Sequence, residues 1–245
     1  MDIEKFNVAR HKIINHTRER NGIGTLSEKT VHAILKHYCE GDETKHEIKI
    51  QNKVADIFTG EEILEIQTRS FYVMKKKLDS FLPLYPVTIV YPIPRNKWVI
   101  WIDEETGEFT NRRKSPVKGN EFFIFKELYS IKSYLKHEHI RFKIMIMDME
   151  EYRLLNGWSK DKKRGSRRFD RIPMELIEEI DITCVQDYLQ LLPYGMKEPF
   201  TVKDFAKEVH IKKELSSQVM NVMHYLELVE RVGKKGNGYL YRVVE

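Results

Sequence analysis

The chain has 245 residues, of which 41% are hydrophobic and 32% charged, and a formal net charge of +5. That length suits one large domain or a larger domain with a small one attached. The longest apolar runs, such as residues 144–147, are far shorter than the about 20 residues of a membrane-spanning helix, and the charged residues 1–5 are unlike a signal peptide. The two distant cysteines suit neither a disulfide framework nor a metal-ligand spacing. These features predict a cytoplasmic protein that does not associate with membranes.

Two helices are predicted at the start of the chain. A weak helical pattern ends near residue 24, and a stronger helix follows with Ser27 as its cap and an apolar stripe at Val31, Ile34, Leu35 and Tyr38. Glu28 occupies the N-terminal end of this stripe, where its carboxylate can point along the core-facing side of the helix. Its alternative role is to complement the helix dipole in the first turn.

Three short strands are predicted next, at His46–Ile50, Lys53–Phe58 and residues 63–67. The second and third strands form a hairpin, and a turn closed symmetrically about Gly60 and Glu61 puts Asp56 directly opposite Glu65. Opposed like charges destabilise a sheet, and carboxylates among apolar strand residues are costly unless they are neutralised. A hard divalent cation neutralises such a pair, so this hairpin is the predicted functional centre.

A helix over residues 70–82 and a buried strand over residues 87–91 come after the hairpin. The three lysines at residues 75–77 are predicted to be partly solvated. Right-handed crossover geometry lays the strand at 87–91 parallel to the strand that carries Glu65. The expected result is a mixed sheet with helices packed against it.

Residues 96–153 continue this mixed pattern, with strands predicted at residues 98–102, 122–125 and 141–149 and a helix at residues 128–135. Trp98, Ile100 and Ile102 alternate, which predicts a half-buried strand whose aromatic side chain belongs to the core rather than to a base-stacking platform. A further helix is predicted at residues 174–180.

Positive charge is concentrated in residues 160–171, which hold seven basic and two acidic residues. Lysine and arginine in such density contact phosphates and add affinity through counterion release. A solvated basic loop is the alternative. The predicted phosphate contacts in this segment are Lys162, Lys163, Arg164, Arg167 and Arg168.

The pattern changes from about residue 183. Helices are predicted at residues 185–192, 202–210 and 214–226, with Thr201 capping the second, and a Gly-rich turn at residues 233–238 joins two strands. The segments Phe-Thr-Val-Lys-Asp-Phe-Ala at 200–206 and Leu-Glu-Leu-Val-Glu-Arg-Val-Gly at 226–233 resemble the second-helix opening and the run into the wing of winged helix-turn-helix domains.

In that family the third helix commonly enters a major groove while the wing contacts the backbone. The resemblance implies DNA contacts from Lys212, Lys213, Ser216, Ser217, Gln218 and Asn221 on the helix, and from Lys234 and Lys235 on the wing. Winged helices also serve as protein-interaction or dimerisation modules, which is the alternative for this part of the chain.

The pattern Asp56-(x)8-Glu65-x-Gln67, preceded by the helical Glu28, resembles the PD-(D/E)XK nuclease superfamily. In that superfamily an acidic residue ends one strand of a hairpin, an acid-x-lysine triplet lies on the next, and a further acid often comes from a preceding helix. Here Gln67 stands where lysine is usual, and Glu65-Ile66-Gln67 is similar to the triplet of CoiA-like nucleases.

The nuclease resemblance implies that Asp56, Glu65 and the carbonyl of Ile66 bind Mg²⁺ or Mn²⁺, with Glu28 binding directly or through water. The metal lowers the pKa of a bound water and stabilises charge on the scissile phosphate. Gln67 is expected to orient that water, and Arg69 and nearby lysines are expected to hold the phosphodiester.

The sequence therefore predicts an α/β fold with a mixed central sheet flanked by helices, divided into a nuclease domain at residues 1–182 and a winged helix at residues 183–245. The expected function is that of a magnesium-dependent endonuclease acting on DNA, in duplex form, with no small-molecule cofactor. A homodimer is compatible with it because double-strand cleavage needs two sites. The alternatives are a catalytically inactive DNA-binding regulator with the nuclease fold and a protein-interaction module of a mobile-element or defence system.

Overall fold

A computed structural model describes residues 1–21, 30–103, 106–155 and 167–244. The α-helices are α1 (Ile3–Asn21), α2 (Thr30–Cys39), α3 (Lys75–Phe81), α4 (Ile124–Ser130), α5 (Val202–Glu208) and α6 (Lys213–Tyr225). The strands are β1 (His46–Ile50), β2 (Lys53–Phe58), β3 (Ile63–Ile66), β4 (Val87–Ile102), β5 (Arg113–Lys114), β6 (Ile140–Leu154), β7 (Arg167–Ile182), β8 (Phe200–Thr201), β9 (Val229–Lys235) and β10 (Gly238–Val243). Short 3-10 helices lie at Phe71–Met74, directly before α3, and at Val185–Leu191.

A seven-stranded sheet dominates the described part of the chain. Its strand order is β1-β2-β3-β4-β6-β7, and β5 pairs with β4. The hairpin β2–β3 is antiparallel, whereas β3 and β4 are parallel with Glu65 paired to Ile89. The sheet is therefore mixed and flanked by helices, as predicted, and the predicted parallel pairing after the crossover is confirmed.

Continuous apolar runs explain which strands lie at the centre of the sheet. Every residue of β3 is buried, as are residues 87–90 of β4 and residues 144–147 of β6. Strands covered on both faces are expected to read as unbroken hydrophobic runs rather than as alternating ones. The one charged side chain of β3, Glu65, is therefore placed in the core by its neighbours.

The chain divides into two compact units. One comprises residues 1–46, 92–120 and 145–179, and the other comprises residues 47–91, 121–144 and 180–245. The predicted boundary at residues 182 and 183 remains a prediction. No helix among the described residues has both the length and the apolar character needed to cross a membrane.

The predicted apolar stripe of α2 is part of the core of the first unit. Val31, Ile34, Leu35 and Tyr38 are all buried, and α2 packs against α1. The Tyr38 hydroxyl donates to Glu179 of β7 and accepts a hydrogen bond from the backbone of Asp2. Burial and the Glu179 hydrogen bond raise the pKa of Tyr38, so this phenol stays neutral at physiological pH.

The second unit contains the predicted C-terminal helices and hairpin. Thr201 caps α5, because its hydroxyl accepts from the Asp204 amide at 3.2 Å while the Asp204 carboxylate accepts from the Thr201 amide at 2.9 Å. Helix α6 packs against both α5 and α4, and β8, β10 and β9 form a three-stranded antiparallel sheet. The predicted helices and strands are confirmed, and the winged-helix identity itself stays a prediction.

Two predicted elements are wrong. Residues 174–180, predicted to be helical, belong to the long strand β7, because isoleucines at 172, 177, 180 and 182 favour a strand that pairs beside β6. Residues 122–125, predicted to be a strand, are helical. Phe122 and Phe125 are both buried and stack with ring centroids 6.3 Å apart, which is the i, i+3 neighbourhood of a helix.

Gly119 marks a close backbone approach in the first unit. A Cβ atom at this position would lie 2.3 Å from the Pro94 carbonyl oxygen and 2.9 Å from Cγ2 of Ile93. We expect Gly119→Ala to lower the free energy of unfolding by about 2 kcal/mol, as overpacking typically does. Urea denaturation measures this, with Gly41→Ala as the control because nothing lies within 4 Å of a Cβ there. Equal stabilities for the two variants would contradict the expectation.

Candidate active site

The hairpin β2–β3 has the predicted register. Ile57 pairs with Leu64 and Phe58 with Ile63, and the same register sets Asp56 opposite Glu65. Gly60 in the turn has a φ of +99°, a conformation that glycine adopts without strain. The turn chemistry and the alternation along the strands thus bring the two predicted carboxylates together.

Side-chain hydrogen bonds link the strands at this acidic pair. The Asp56 amide donates to Oε1 of Glu65 at 3.3 Å, and the Ile66 amide donates to Oδ2 of Asp56 at 2.8 Å. Each carboxylate therefore accepts a backbone hydrogen bond from the opposite strand. These bonds fix the positions of both groups and leave further oxygen lone pairs for other partners.

Glu65 is the most strongly perturbed acid of the site. Glu65 is buried, with only 3% of its surface exposed. Burial, and then the negative charge of Asp56, raise the pKa of Glu65 to about 7, against the opposing effect of Lys77. A carboxylate whose ionisation is this costly has a strong electrostatic demand for positive charge beside it.

Lys77 from helix α3 supplies part of that positive charge. Its Nζ lies 3.0 Å from Oε1 and 2.7 Å from Oε2 of Glu65. The sequence prediction missed this contact because it assigned the lysines at 75–77 to a partly solvated face. A signal was present, since Lys77 is three residues after Met74 and four before Phe81 and so shares the buried stripe of the helix.

The donor set fits a hard divalent cation in chemical type. Two carboxylates from adjacent strands, with one ammonium in contact with Glu65, carry a net negative charge when both acids are ionised. One or two carboxylates completed by water and substrate oxygens are what Mg²⁺ selects. Within the described residues, however, no group of three or more His, Cys, Asp or Glu side chains is arranged to hold a metal ion.

Gln67 has a structural role in the loop that follows β3. Its side-chain Nε2 donates to the carbonyl oxygens of Arg69 and of Ser70, the latter at 3.0 Å. Ser70 has a φ of +44°, so the amide stabilises a left-handed turn. The predicted orientation of a water by Gln67 would have to use the amide oxygen, because the donors are engaged. Arg69, the predicted phosphate contact, is exposed.

Several predicted residues lie outside the described part of the chain. They are Glu28 and the loop residues Lys162, Lys163 and Arg164, and the side chain of Arg167 is likewise not described. Arg168 is described, and its Nε lies 3.3 Å from Oε2 of the buried Glu151.

The predicted DNA-contacting residues of the C-terminal region differ in accessibility. Lys212, Lys213, Ser217, Lys234 and Lys235 are exposed, and Gln218 is half-buried. Asn221 is half-buried and its Oδ1 accepts a 2.9 Å hydrogen bond from Lys132 Nζ. Ser216 is fully buried and its hydroxyl donates to the Val202 carbonyl at 2.7 Å, so its predicted surface position is wrong. The cause is that Ser216 lies on the side of α6 that packs against α5.

The fold and the site together define an α/β protein with an acidic strand pair completed by a lysine. The chain belongs to the family described as Domain of unknown function (DUF8091), whose family model matches residues 29–183. That range includes Asp56, Glu65 and Lys77. A protein of Treponema pallidum (strain Nichols), described as "Uncharacterized protein", is 26% identical over 224 residues, which cover 90% of this chain and 87% of the relative. No solved structure matches the chain.

Proposed function

We propose that the protein is a metal-dependent DNA endonuclease that hydrolyses phosphodiester bonds in the cytoplasm. The observation that carries the proposal is the pairing of Asp56 with a buried Glu65 whose pKa is raised to about 7, with Lys77 beside it. A pair of acids that is electrostatically unfavourable alone becomes favourable when a cation and a phosphate share the site. The similarity of Asp56-(x)8-Glu65-x-Gln67 to PD-(D/E)XK nucleases supports the same function.

In this proposal the two carboxylates hold the ion and Lys77 faces the substrate. Asp56 and Glu65 would bind Mg²⁺ or Mn²⁺ together with the Ile66 carbonyl and Glu28. When bound, the ion supplies a water of lowered pKa and stabilises charge on the phosphate. Lys77 favours the ionised form of Glu65 and would present a cation near the scissile phosphate, which is the electrostatic role that Gln67 cannot fill.

The C-terminal region is proposed to position the enzyme on duplex DNA. The exposed lysines at the start of α6 and on β9 support this, since cations at these places can contact phosphates. Cleavage of both strands would need two sites, which a homodimer provides.

The decisive test is cleavage of plasmid DNA with magnesium, with manganese and with EDTA. We expect cleavage with either metal and none with EDTA. Asp56→Asn should lower the rate by about 100-fold or more, because loss of even an outer partner of a metal site costs roughly 10–100-fold. Glu61→Gln is the matched control, since Glu61 is an exposed acid in the turn of the same hairpin. Cleavage that Asp56→Asn leaves unchanged would exclude this site.

A DNA-binding regulator without catalysis is the second candidate. It is favoured by the engagement of both Gln67 donors with backbone carbonyls at the position where nucleases usually carry lysine. A salt titration of DNA binding together with the plasmid assay separates the candidates. Salt-dependent binding with no cleavage in either metal identifies the regulator, and neither binding nor cleavage leaves the protein-interaction module.

A further inference from the structure

A cluster of cations surrounds one buried carboxylate in the first unit. Glu151 on β6 is 1% exposed. Its Oε1 accepts from Arg153 Nε at 2.6 Å, and its Oε2 lies 3.5 Å from Lys97 Nζ and 3.3 Å from Arg168 Nε. Although burial raises the pKa of Glu151, the charges of Lys97, Arg168 and Arg153 outweigh it and hold the pKa below its ordinary value. Glu151 is therefore an ionised anchor for three cations.

One carboxylate cannot balance three cations. The side chains of Lys97, Arg153 and Arg168 keep 23%, 31% and 38% of their surface exposed, so the cluster is open to solvent on one side. Within the described part of the chain, three cations thus share contacts with one carboxylate, and this common buried partner sets the positions of their side chains. Arginines fixed in this way form bidentate hydrogen bonds with phosphate oxygens at little further cost in conformational entropy.

Strand order adds a fourth cation to the same face. Arg113 pairs with Val99 across β5 and β4, and Val99 lies two residues from Lys97, so Arg113 and Lys97 share a face of the sheet. Arg113 is exposed. Because β5, β4, β6 and β7 are adjacent in this order, the four cations extend across four neighbouring strands.

The opposite face of the same strands provides a built-in contrast. Lys114 pairs with Trp98, and the Arg112 guanidinium lies 4.1 Å from the centre of the Trp98 ring while its Nε donates to Glu150 at 2.6 Å. On this face the cations cover an aromatic ring and one of them is paired with its own carboxylate. Among the described residues, the cations that share a single carboxylate therefore lie on the Glu151 face.

We propose that Lys97, Arg113, Arg153 and Arg168 form a phosphate-binding site for the backbone of a nucleic acid strand, with Glu151 as the positioning residue. The identification of the ligand as a nucleic acid rests on the proposed function. The cluster of cations itself does not depend on catalysis. Arg168 was already a predicted phosphate contact, and Lys97, Arg113 and Arg153 are new ones. These phosphate contacts are in addition to those predicted for the C-terminal region.

The test is binding of a labelled 20-nucleotide strand and a 20-base-pair duplex in EDTA, at several salt concentrations. The double variant R113Q/R168Q is compared with R112Q/K114Q, which removes the same amount of charge at and next to β5, from the opposite face of the sheet. Loss of two phosphate contacts should weaken single-strand binding about 25-fold at 0.1 M salt and reduce the salt slope by about 1.4. R112Q/K114Q should stay within about threefold of the wild type, since loss of any one phosphate contact would cost about fivefold at that salt.

Two further arms identify the source of the phosphate. Strands with and without a 5′-phosphate should bind alike, because the backbone is the proposed ligand. Polyglutamate and anionic vesicles should bind more weakly than the oligonucleotides by at least about tenfold. Thermal unfolding checks that both double variants are folded. Equal affinities of the two folded variants would overturn the site. A preference for polyglutamate, for vesicles or for the 5′-phosphate would also overturn it. R113Q/R168Q-sensitive binding without any cleavage in magnesium would overturn the nuclease and leave this site standing.

Discussion

Replacing Glu65 with glutamine is expected to stabilise the fold in a pH-dependent manner while it abolishes cleavage. The pKa of Glu65 is raised from 4.5 to about 7, so between these values the folded protein binds more protons than the unfolded chain. The free energy of unfolding of the wild type therefore falls as the pH rises through this window. Glutamine carries no charge at any pH and retains an oxygen that can accept from the Asp56 amide.

The stability difference between Glu65→Gln and the wild type should grow by about 3 kcal/mol between pH 4.5 and pH 7 and then level off. Chemical denaturation at a series of pH values measures it. Magnesium at 100 times its dissociation constant should add about 2.7 kcal/mol to the wild type at pH 8 and much less to Glu65→Gln.

Glu61→Gln is again the control, because an exposed acid in the turn has no buried charge to relieve. Parallel stability curves for wild type and Glu65→Gln, with the variant less stable throughout, would identify Glu65 as an ordinary ion-pair partner of Lys77. Removal of one partner of a buried salt bridge destabilises the fold, because the other charge is left buried without compensation.

Replacing Lys77 with methionine is expected to reduce plasmid cleavage by about 100- to 1,000-fold, which is the usual cost of removing one preorganised charge-stabilising group. Methionine keeps the unbranched length of the side chain and removes only the ammonium. Lys77 also lowers the pKa of Glu65, so its loss should move the acidic limb of the pH–rate profile to higher pH. A role confined to packing would leave that limb in place.

Lys76→Met is the matched control for Lys77→Met. Lys76 is the preceding residue on α3 and is exposed. Its replacement should leave both the rate and the pH profile within about twofold of the wild type, since an exposed charge is screened by solvent. Equal losses in the two variants would show that α3 contributes general positive charge rather than a specific ammonium at Glu65.

The hairpin was predictable because its determinants are local. Alternation along β2 and β3 and a turn centred on Gly60 and Glu61 fix the register within residues 53–66, so Asp56 opposite Glu65 follows from the sequence. The cap at Thr201 and the parallel pairing of β3 with β4 were also predictable. The cap depends on near neighbours, and the pairing depends on the fixed handedness of a crossover.

Long strands were less predictable than short ones. The alternation of Trp98, Ile100 and Ile102 predicted their strand, but β4 begins at Val87 and continues without a break to Ile102. Residues 174–180 have a helical pattern of isoleucine, leucine and glutamate, and pairing beside β6 decides their conformation instead. Intrinsic propensity is weak compared with the hydrogen bonds and burial that a neighbouring strand provides.

By itself the sequence determined the acidic pair, the mixed sheet and the C-terminal helices, because short-range periodicity, capping and turn residues encode them. Only the tertiary structure decided that Lys77 contacts Glu65 and that Glu151 collects Lys97, Arg153 and Arg168. Apart from Arg153, which lies two positions after Glu151 on the same strand, these contacts join residues from different elements, 54 positions apart for Lys97 and Glu151. Charges in the core take partners by proximity after folding, and no periodicity along the chain specifies which partner that is.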